Sequence, residues 1–250
     1  MTSNAESLPG EVRIPQAVAP PSWRQLGVLV LDGSESMTWE MAEEDPSLDG
    51  VLPARAKNQA VDQAIKTLLN RLQQNPRVVA NFAFAMVSFT HELTGTLPTQ
   101  ELSDLDPNQS FDPTVNGTGG TRVAAGLAEA GRLIEEFQRT ESAKGLPVSA
   151  VVLVMSDGED GDAGAAMAAA SQLKQLPNVT IASALFATKG GDDAGARLLQ
   201  AIATSPEMFQ TVYSAEQLRR FFHASVTKVS PGAIGSGTPT TDGPPPIPQS

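Results

Sequence analysis

Residues Leu26 to Leu31 read Leu-Gly-Val-Leu-Val-Leu, five of the six apolar and none of them polar. A strand with one wet face alternates apolar and polar side chains, whereas a strand covered on both faces does not. The run therefore predicts a strand at the centre of a parallel sheet. It stops at Asp32-Gly33, a turn signal, and oxygen-bearing side chains follow at alternate positions: Asp32, Ser34 and Ser36. The carboxyl end of a buried strand is where open α/β sheets bind ligands. One carboxylate and two hydroxyls are hard donors of the kind that Mg²⁺, Mn²⁺ or Ca²⁺ accepts. The same composition also suits a plain polar turn whose serines cap the next element.

The rest of the chain supplies partners for such a strand. Val78 to Thr90 predicts a second buried strand, centred on Phe82-Ala83-Phe84-Ala85-Met86-Val87, and Glu92 to Thr99 a short antiparallel edge strand. Val148 to Met155 and Val179 to Ala187 are further buried strands, and Met208 to Tyr213 a short last one. Helices fall between them. Pro53 to Gln74 carries a stripe of Ala56, Ala60, Val61, Ala64, Ile65, Leu68, Leu69 and Leu72, with Asn75-Pro76 as its end. A second helix follows Thr121, and others span Ala163 to Leu176, Ala194 to Thr204 and Ser214 to Lys228. Ser214 and Gln217 have the spacing of a capping box. This alternation from Leu26 to Lys228 predicts a doubly wound α/β fold, a mostly parallel sheet with helices on both faces. A chain of 250 residues suffices for one such domain.

The flanks differ in composition. Residues 1–24 read as an N-terminal arm, with one short edge strand around Val12 to Ile14. Residues 25–229 form the domain, and the Pro-, Gly- and Thr-rich stretch 230–250 is a disordered tail that buries too little surface to offset ordering entropy. Pro244-Pro245-Pro246-Ile247-Pro248 suits a polyproline II ligand or a plain spacer. Thr38 to Leu52 is acidic and reads as a solvated loop, or as a rim in which Trp39 anchors a partner.

Composition removes several function classes. The net charge of −11 disfavours nucleic-acid and anionic-membrane surfaces and suits a cation or a basic partner. There is no Cys, so thiolate metal sites, disulfides and Cys nucleophiles are excluded. Residues 1–21 lack a basic start and an apolar stretch, and no apolar run has the length of a bilayer, so a cytoplasmic location is expected. Enzyme signatures fail one by one. The sequence around Ser36 is not Gly-x-Ser-x-Gly, and no Gly-x-x-x-x-Gly-Lys occurs. Gly117 to Arg122 lacks the last glycine of a dinucleotide loop. Only His91 and His223 could act as imidazole bases, and a lone His at a strand end reads as structural. A metal-dependent phosphohydrolase is the enzyme that these residues leave open.

Two further loops converge on the first. Thr114 to Thr121 is Gly-rich, and its Gly119 and Gly120 would let the backbone approach a neighbour closely before Thr121, a residue that also suits a helix cap. After the strand Val148 to Met155 come Ser156-Asp157-Gly158, opening an acidic turn with four acids between Asp157 and Asp162. A calcium-binding loop of the helix–loop–helix type would need Glu at its twelfth position, where Ala168 stands. In a parallel sheet all three loops reach the carboxyl edge. Two carboxylates and three hydroxyls then surround one point.

Asp32-x-Ser34-x-Ser36, Gly119-Gly120-Thr121 and Asp157-Gly158 in this order resemble the metal-ion-dependent adhesion site of the von Willebrand factor A domain family. The resemblance spans about Gln25 to Lys228 and extends to bacterial tellurite-resistance-type proteins. It implies a six-stranded sheet with five parallel strands and one short antiparallel edge strand. It implies that Ser34, Ser36 and either Thr121 or Asp157 contact a divalent ion directly, with Asp32 and the remaining member acting through water. Hydroxyl ligands leave the cation incompletely neutralised, so a Glu or Asp carboxylate of a protein partner would complete its shell. A kinase, a phosphatase and an AAA+ ATPase are the partner classes that the resemblance suggests, in a bacterial signalling or stress-response assembly with Thr238, Thr240 and Thr241 as candidate phosphoacceptors. Mg²⁺ or Mn²⁺ suits the shell best. Glu35 stands where the family often has a small residue and could cap the site with an internal carboxylate, which keeps a metal-free scaffold as an alternative. Arg122 could pair with the acidic rim or with an acidic partner.

Overall fold

The computed structural model describes residues 21–40, 56–117, 119–158, 160–186, 193–213 and 215–229. The expected edge strand at 12–14, the loop 189–193 up to its last residue, Ser214 of the capping box and the tail 230–250 lie outside them.

Six strands form one sheet in the order β3-β2-β1-β4-β5-β6. They are β1 (Arg24–Asp32), β2 (Phe82–Phe89), β3 (Leu93–Glu101), β4 (Val148–Ser156), β5 (Val179–Phe186) and β6 (Phe209–Val212). All neighbours are parallel except the β2–β3 pair, which is antiparallel. Every residue of β1 and β4 is buried. Leu26, Val28 and Val30 enter the apolar cluster on one face of the sheet, and Leu29 and Leu31 the cluster on the other. Both parities are thus apolar, which is why the sequence shows no alternation.

The helices are α1 (Lys57–Gln73), α2 (Pro76–Asn81), α3 (Val123–Ser142), α4 (Ala163–Gln175), α5 (Asp193–Ile202) and α6 (Ala215–Val229). The α3, α4 and α5 side chains Leu127, Ile134, Ala166, Leu173 and Leu199 cover one face. Those of α1 and α6, including Ile65, Leu69, Leu218 and Phe222, cover the other. The expected fold is therefore the observed one, a doubly wound α/β domain with a single antiparallel edge strand, except that this strand is not short: its nine residues equal β1 in length.

Two boundaries need correction. The helix expected from Pro53 begins only at Lys57, after Ala56 as its extended cap. The strand expected from Val78 begins only at Phe82, and Val78 to Asn81 belong to α2. Asn75 and Pro76 end α1 and start α2 together: the Asn75 side chain accepts the Arg77 N–H at 3.1 Å, and Pro76 takes the first helical position.

The chain leaves β1 toward β2, then returns across it to β4 on the other side. The carboxyl ends of β1 and β4 are thus adjacent strand ends from which the chain departs in opposite directions. A crevice opens at such a switch point. Asp32 is the last residue of β1, and Ser156 the last of β4. Among the described residues, no helix is long and apolar enough to cross a membrane.

Candidate metal centre

Asp32 is fully buried and holds three loops at once. Its Oδ1 accepts the Ser34 N–H at 2.8 Å. Its Oδ2 accepts the Ser156 hydroxyl at 2.6 Å and the Thr121 hydroxyl at 3.2 Å. Burial pushes the Asp32 carboxyl above the ordinary carboxylate range; the bonds from Ser156 and Ser34 pull the other way, and the charge of Asp157 adds to the rise.

Ser34 and Ser36 come next along the loop, where Glu35–Thr38 make a 3-10 turn. Ser34 occupies the capping position of that turn, yet its side chain makes no capping bond. Its Oγ lies 3.1 Å from Ser36 Oγ, and Ser36 in turn donates to Asp157 Oδ1 at 2.8 Å. The serines thus face the acidic residues instead of serving the turn. Glu35, which could have capped the site, is exposed at the start of the turn. Trp39, just beyond it, is 61% exposed.

Thr121 precedes α3 without capping it. The first helical N–H, that of Val123, is accepted by Asp160 Oδ2 at 2.5 Å. Asp160 Oδ1 accepts the Asp162 N–H at 2.6 Å, and Asp162 caps α4 through the Ala165 N–H at 2.9 Å. Two of the acids in the Asp157–Asp162 turn are therefore occupied with helix ends, and the Thr121 hydroxyl remains available to Asp32.

The close approach expected at Gly119 and Gly120 holds at Gly119, where a Cβ would lie 3.0 Å from His91 Nδ1, and fails at Gly120, and the tightest one is at Gly117. A Cβ on Gly120 would meet nothing within 4 Å. A Cβ on Gly117 would lie 2.1 Å from the Gly33 carbonyl oxygen, and one on Gly33 2.4 Å from that of Pro113. The Asp32 loop and the Gly-rich loop thus pack backbone to backbone, which only glycine permits here. Gly119 is needed for another reason: its φ of 107° is disfavoured for other residues. His91 lies beside Gly119, its Nδ1 3.4 Å from Thr90 Oγ1, and its side chain is largely exposed. Arg122 is exposed, and its N–H donates to the Thr90 carbonyl at 2.8 Å.

All five residues expected at the site, Asp32, Ser34, Ser36, Thr121 and Asp157, are thus joined in one hydrogen-bonded group. Two more belong to it. Ser156 serves Asp32, as above. Lys57, the first residue of α1, reaches in to form an ion pair with Asp157 Oδ2 and donates to the Ser36 carbonyl at 3.3 Å. Lys57 is 1% exposed and Asp157 3%. The buried ammonium therefore pairs with Asp157, while the buried Asp32 carboxyl is held by hydroxyls and one N–H, with no cation bonded to it among the described residues. Such a donor set fits a divalent cation: hard oxygens from three loops, with an ammonium already drawn to one of them.

The chain matches the model of the von Willebrand factor type A domain over residues 28–224. No curated protein matches it closely enough to count as a relative. Among solved structures it is similar to the pilus adhesin SpaC of Lactobacillus rhamnosus GG in its open conformation, with a TM-score of 0.61 and 12% identity, covering 83% of this chain and 30% of that one. It is also similar to proximal thread matrix protein 1 of the mussel byssus with a zinc-occupied adhesion motif, with a TM-score of 0.53 and 21% identity over 85% of this chain and 47% of that one. A third is a von Willebrand factor type A protein from Catenulispora acidiphila, with a TM-score of 0.57 and 17% identity over 83% and 43%. The chain spans less than half the length of each of these three.

Proposed function

Since this chain belongs to the von Willebrand factor type A domain family, we propose that it is a protein-interaction module whose contact is made through a divalent cation held by Asp32, Ser34, Ser36, Thr121 and Asp157. The observation that carries this reading is the junction of three sequence-distant loops on two buried carboxylates: Ser36 to Asp157 at 2.8 Å and Thr121 to Asp32 at 3.2 Å. A polar turn serving only its own backbone would have no use for hydroxyls reaching across 121 and 89 residues of chain.

When bound, a divalent ion supplies an electrophilic point that accepts an external oxygen donor. The remaining work falls to the chain. Ser156 and the Ser34 N–H hold the Asp32 carboxylate in place. The Gly33–Gly117 contact sets the spacing of the two loops. Two carboxylates at most balance a divalent ion, and the Lys57 ammonium beside Asp157 then leaves the loaded site positive, so the partner group would be a Glu or Asp side chain. Mg²⁺ or Mn²⁺ suits a small shell that retains water, and zinc in the mussel protein's motif supports a divalent ion in general. Trp39 stands exposed a few residues beyond Ser36 and would add apolar contact at the rim. The reading is non-enzymatic, and His91 beside Gly119 is given no part in it.

Calorimetric titration with Mn²⁺ and Mg²⁺, on the wild type and on Asp32→Ala, tests the metal. One site lost in the variant is expected; equal binding by both would refute the assignment. Retention on immobilised acidic peptides, abolished by chelator, is the expected result for the partner class.

A further inference from the structure

Lys57 is the largest fully buried side chain of the described residues, and it is charged. A lysine is almost never buried without a partner. This one also sits at the first position of α1, where the positive end of the helix dipole repels a cation. Neither α1 nor the apolar core gains from an ammonium there. What accepts it is the site: Asp157 Oδ2 and the Ser36 carbonyl. Its backbone is fixed as well, because the Lys57 N–H donates to the Trp39 carbonyl at 3.1 Å and Glu40 bridges to Ala56. The turn that carries Ser36 and the helix start that carries Lys57 are therefore stapled together.

We propose that Lys57 is a tethered cation that competes with the divalent ion for Asp157, so that metal enters only as the ammonium leaves. This inference rests on the metal-site reading above. Asp157 offers two oxygens: Oδ1 is taken by Ser36 and Oδ2 by Lys57. An incoming ion of charge two meets an ammonium bonded to the same carboxylate, and the two cations repel over a few ångströms in a desolvated site. Held by Lys57, the metal-free site keeps its loops together and half its charge neutralised. The consequence is a domain that folds without metal and binds it weakly, until an acidic partner adds the negative charge that holds the ion and draws the ammonium away from Asp157. Coupling of metal to partner follows, since each improves the binding of the other.

The test is Mn²⁺ calorimetry on the wild type, Lys57→Met, Lys57→Gln and Lys57→Arg. The neutral variants should bind Mn²⁺ about tenfold or more tightly than the wild type, as loss of a nearby unit charge requires, and Lys57→Arg should stay as weak as the wild type. Adding Asp32→Ala to Lys57→Met should abolish the gain. Equal affinity in wild type and neutral variants, with binding still lost in Asp32→Ala, overturns the competition and leaves the metal site standing. No Mn²⁺ or Mg²⁺ binding by either wild type or neutral variants overturns both. A second measurement needs no variant that must fold: reductive methylation of the wild type read by mass spectrometry. Lys57 should be protected without metal and become reactive at saturating Mn²⁺, while the exposed Lys144 reacts equally in both. Protection of Lys57 unchanged at saturating Mn²⁺ overturns the proposal.

Discussion

The Ser156 hydroxyl donates to Asp32 Oδ2 at 2.6 Å, so the last residue of β4 holds the last residue of β1. Both groups are completely buried. A hydrogen bond to a charged acceptor contributes about 1.5–3 kcal/mol, and its loss leaves the acceptor short of a partner in a desolvated site. Ser156→Ala should therefore lower stability by about 2 kcal/mol in denaturant unfolding. It should also weaken Mn²⁺ binding, because Asp32 would turn more freely. Ser156→Thr, which keeps the hydroxyl, should recover more of the metal affinity than of the stability, since an added methyl in a packed strand end is itself costly.

Asp160 caps α3 from across 37 residues of chain, a task that Thr121 would otherwise perform. Asp160→Ala should expose the Val123 N–H at a cost of about 1 kcal/mol, as other cap removals do. Hydrogen exchange should quicken in the first turn of α3 and leave its middle unchanged. The Thr121 hydroxyl would then be drawn between the helix end and Asp32. A modest fall in metal affinity, smaller than that of Thr121→Ala, is the expected companion.

What the sequence shows of this fold is what is local. Leu26 to Leu31 declare a doubly covered strand because both parities are apolar, and Asp32, Ser34 and Ser36 follow within one turn. Asp157 and Thr121 are readable because parallel topology brings their loops to the same edge. Lys57 is not readable in that way, since it stands at the start of a helix and not in one of the loops at the carboxyl ends of the strands. One signal does point to it. Position 57 lies three and four residues before Ala60 and Val61, so helical spacing places it on the buried stripe of α1. A lysine on a core stripe at the end nearest the oxygen loop demands an acidic partner. The glycines are legible only in part: of the conspicuous pair Gly119 approaches His91 closely and Gly120 nothing, while the loop-to-loop backbone contact is made by Gly117 with Gly33, which nothing local marks. Asn75-Pro76 carries both a stop and a start signal, so the short helix behind it is hidden.

Gly117→Ala should separate the Asp32 loop from the Gly-rich loop. Its Cβ would stand 2.1 Å from the Gly33 carbonyl oxygen, and a backbone atom cannot swing aside as the end of a long side chain can. Gly120→Ala, with open space around it, is the matched control. The first should cost about 1–3 kcal/mol, in the range of overpacking, and should weaken Mn²⁺ binding by moving Thr121 relative to Asp32. The second should leave both close to wild type. Equal behaviour of the two variants would mean that the loop spacing does not govern the site.

His223 on α6 gives the domain an acid-sensitive element far from the carboxylates. Burial holds its imidazole below the ordinary value of 6.5, and the guanidinium groups of Arg71 on α1 and Arg219 one turn earlier on α6 add to the depression. Above that value the ring is neutral in the folded and the unfolded chain, and contributes no pH dependence. As pH falls below it, the unfolded chain takes up the proton first, so stability declines until the folded-state value is passed. Tm should therefore drop between about pH 7 and about pH 5, and His223→Gln should flatten that part of the curve while leaving the steeper losses at lower pH in place. An unaltered slope in His223→Gln would assign the acid sensitivity to other groups.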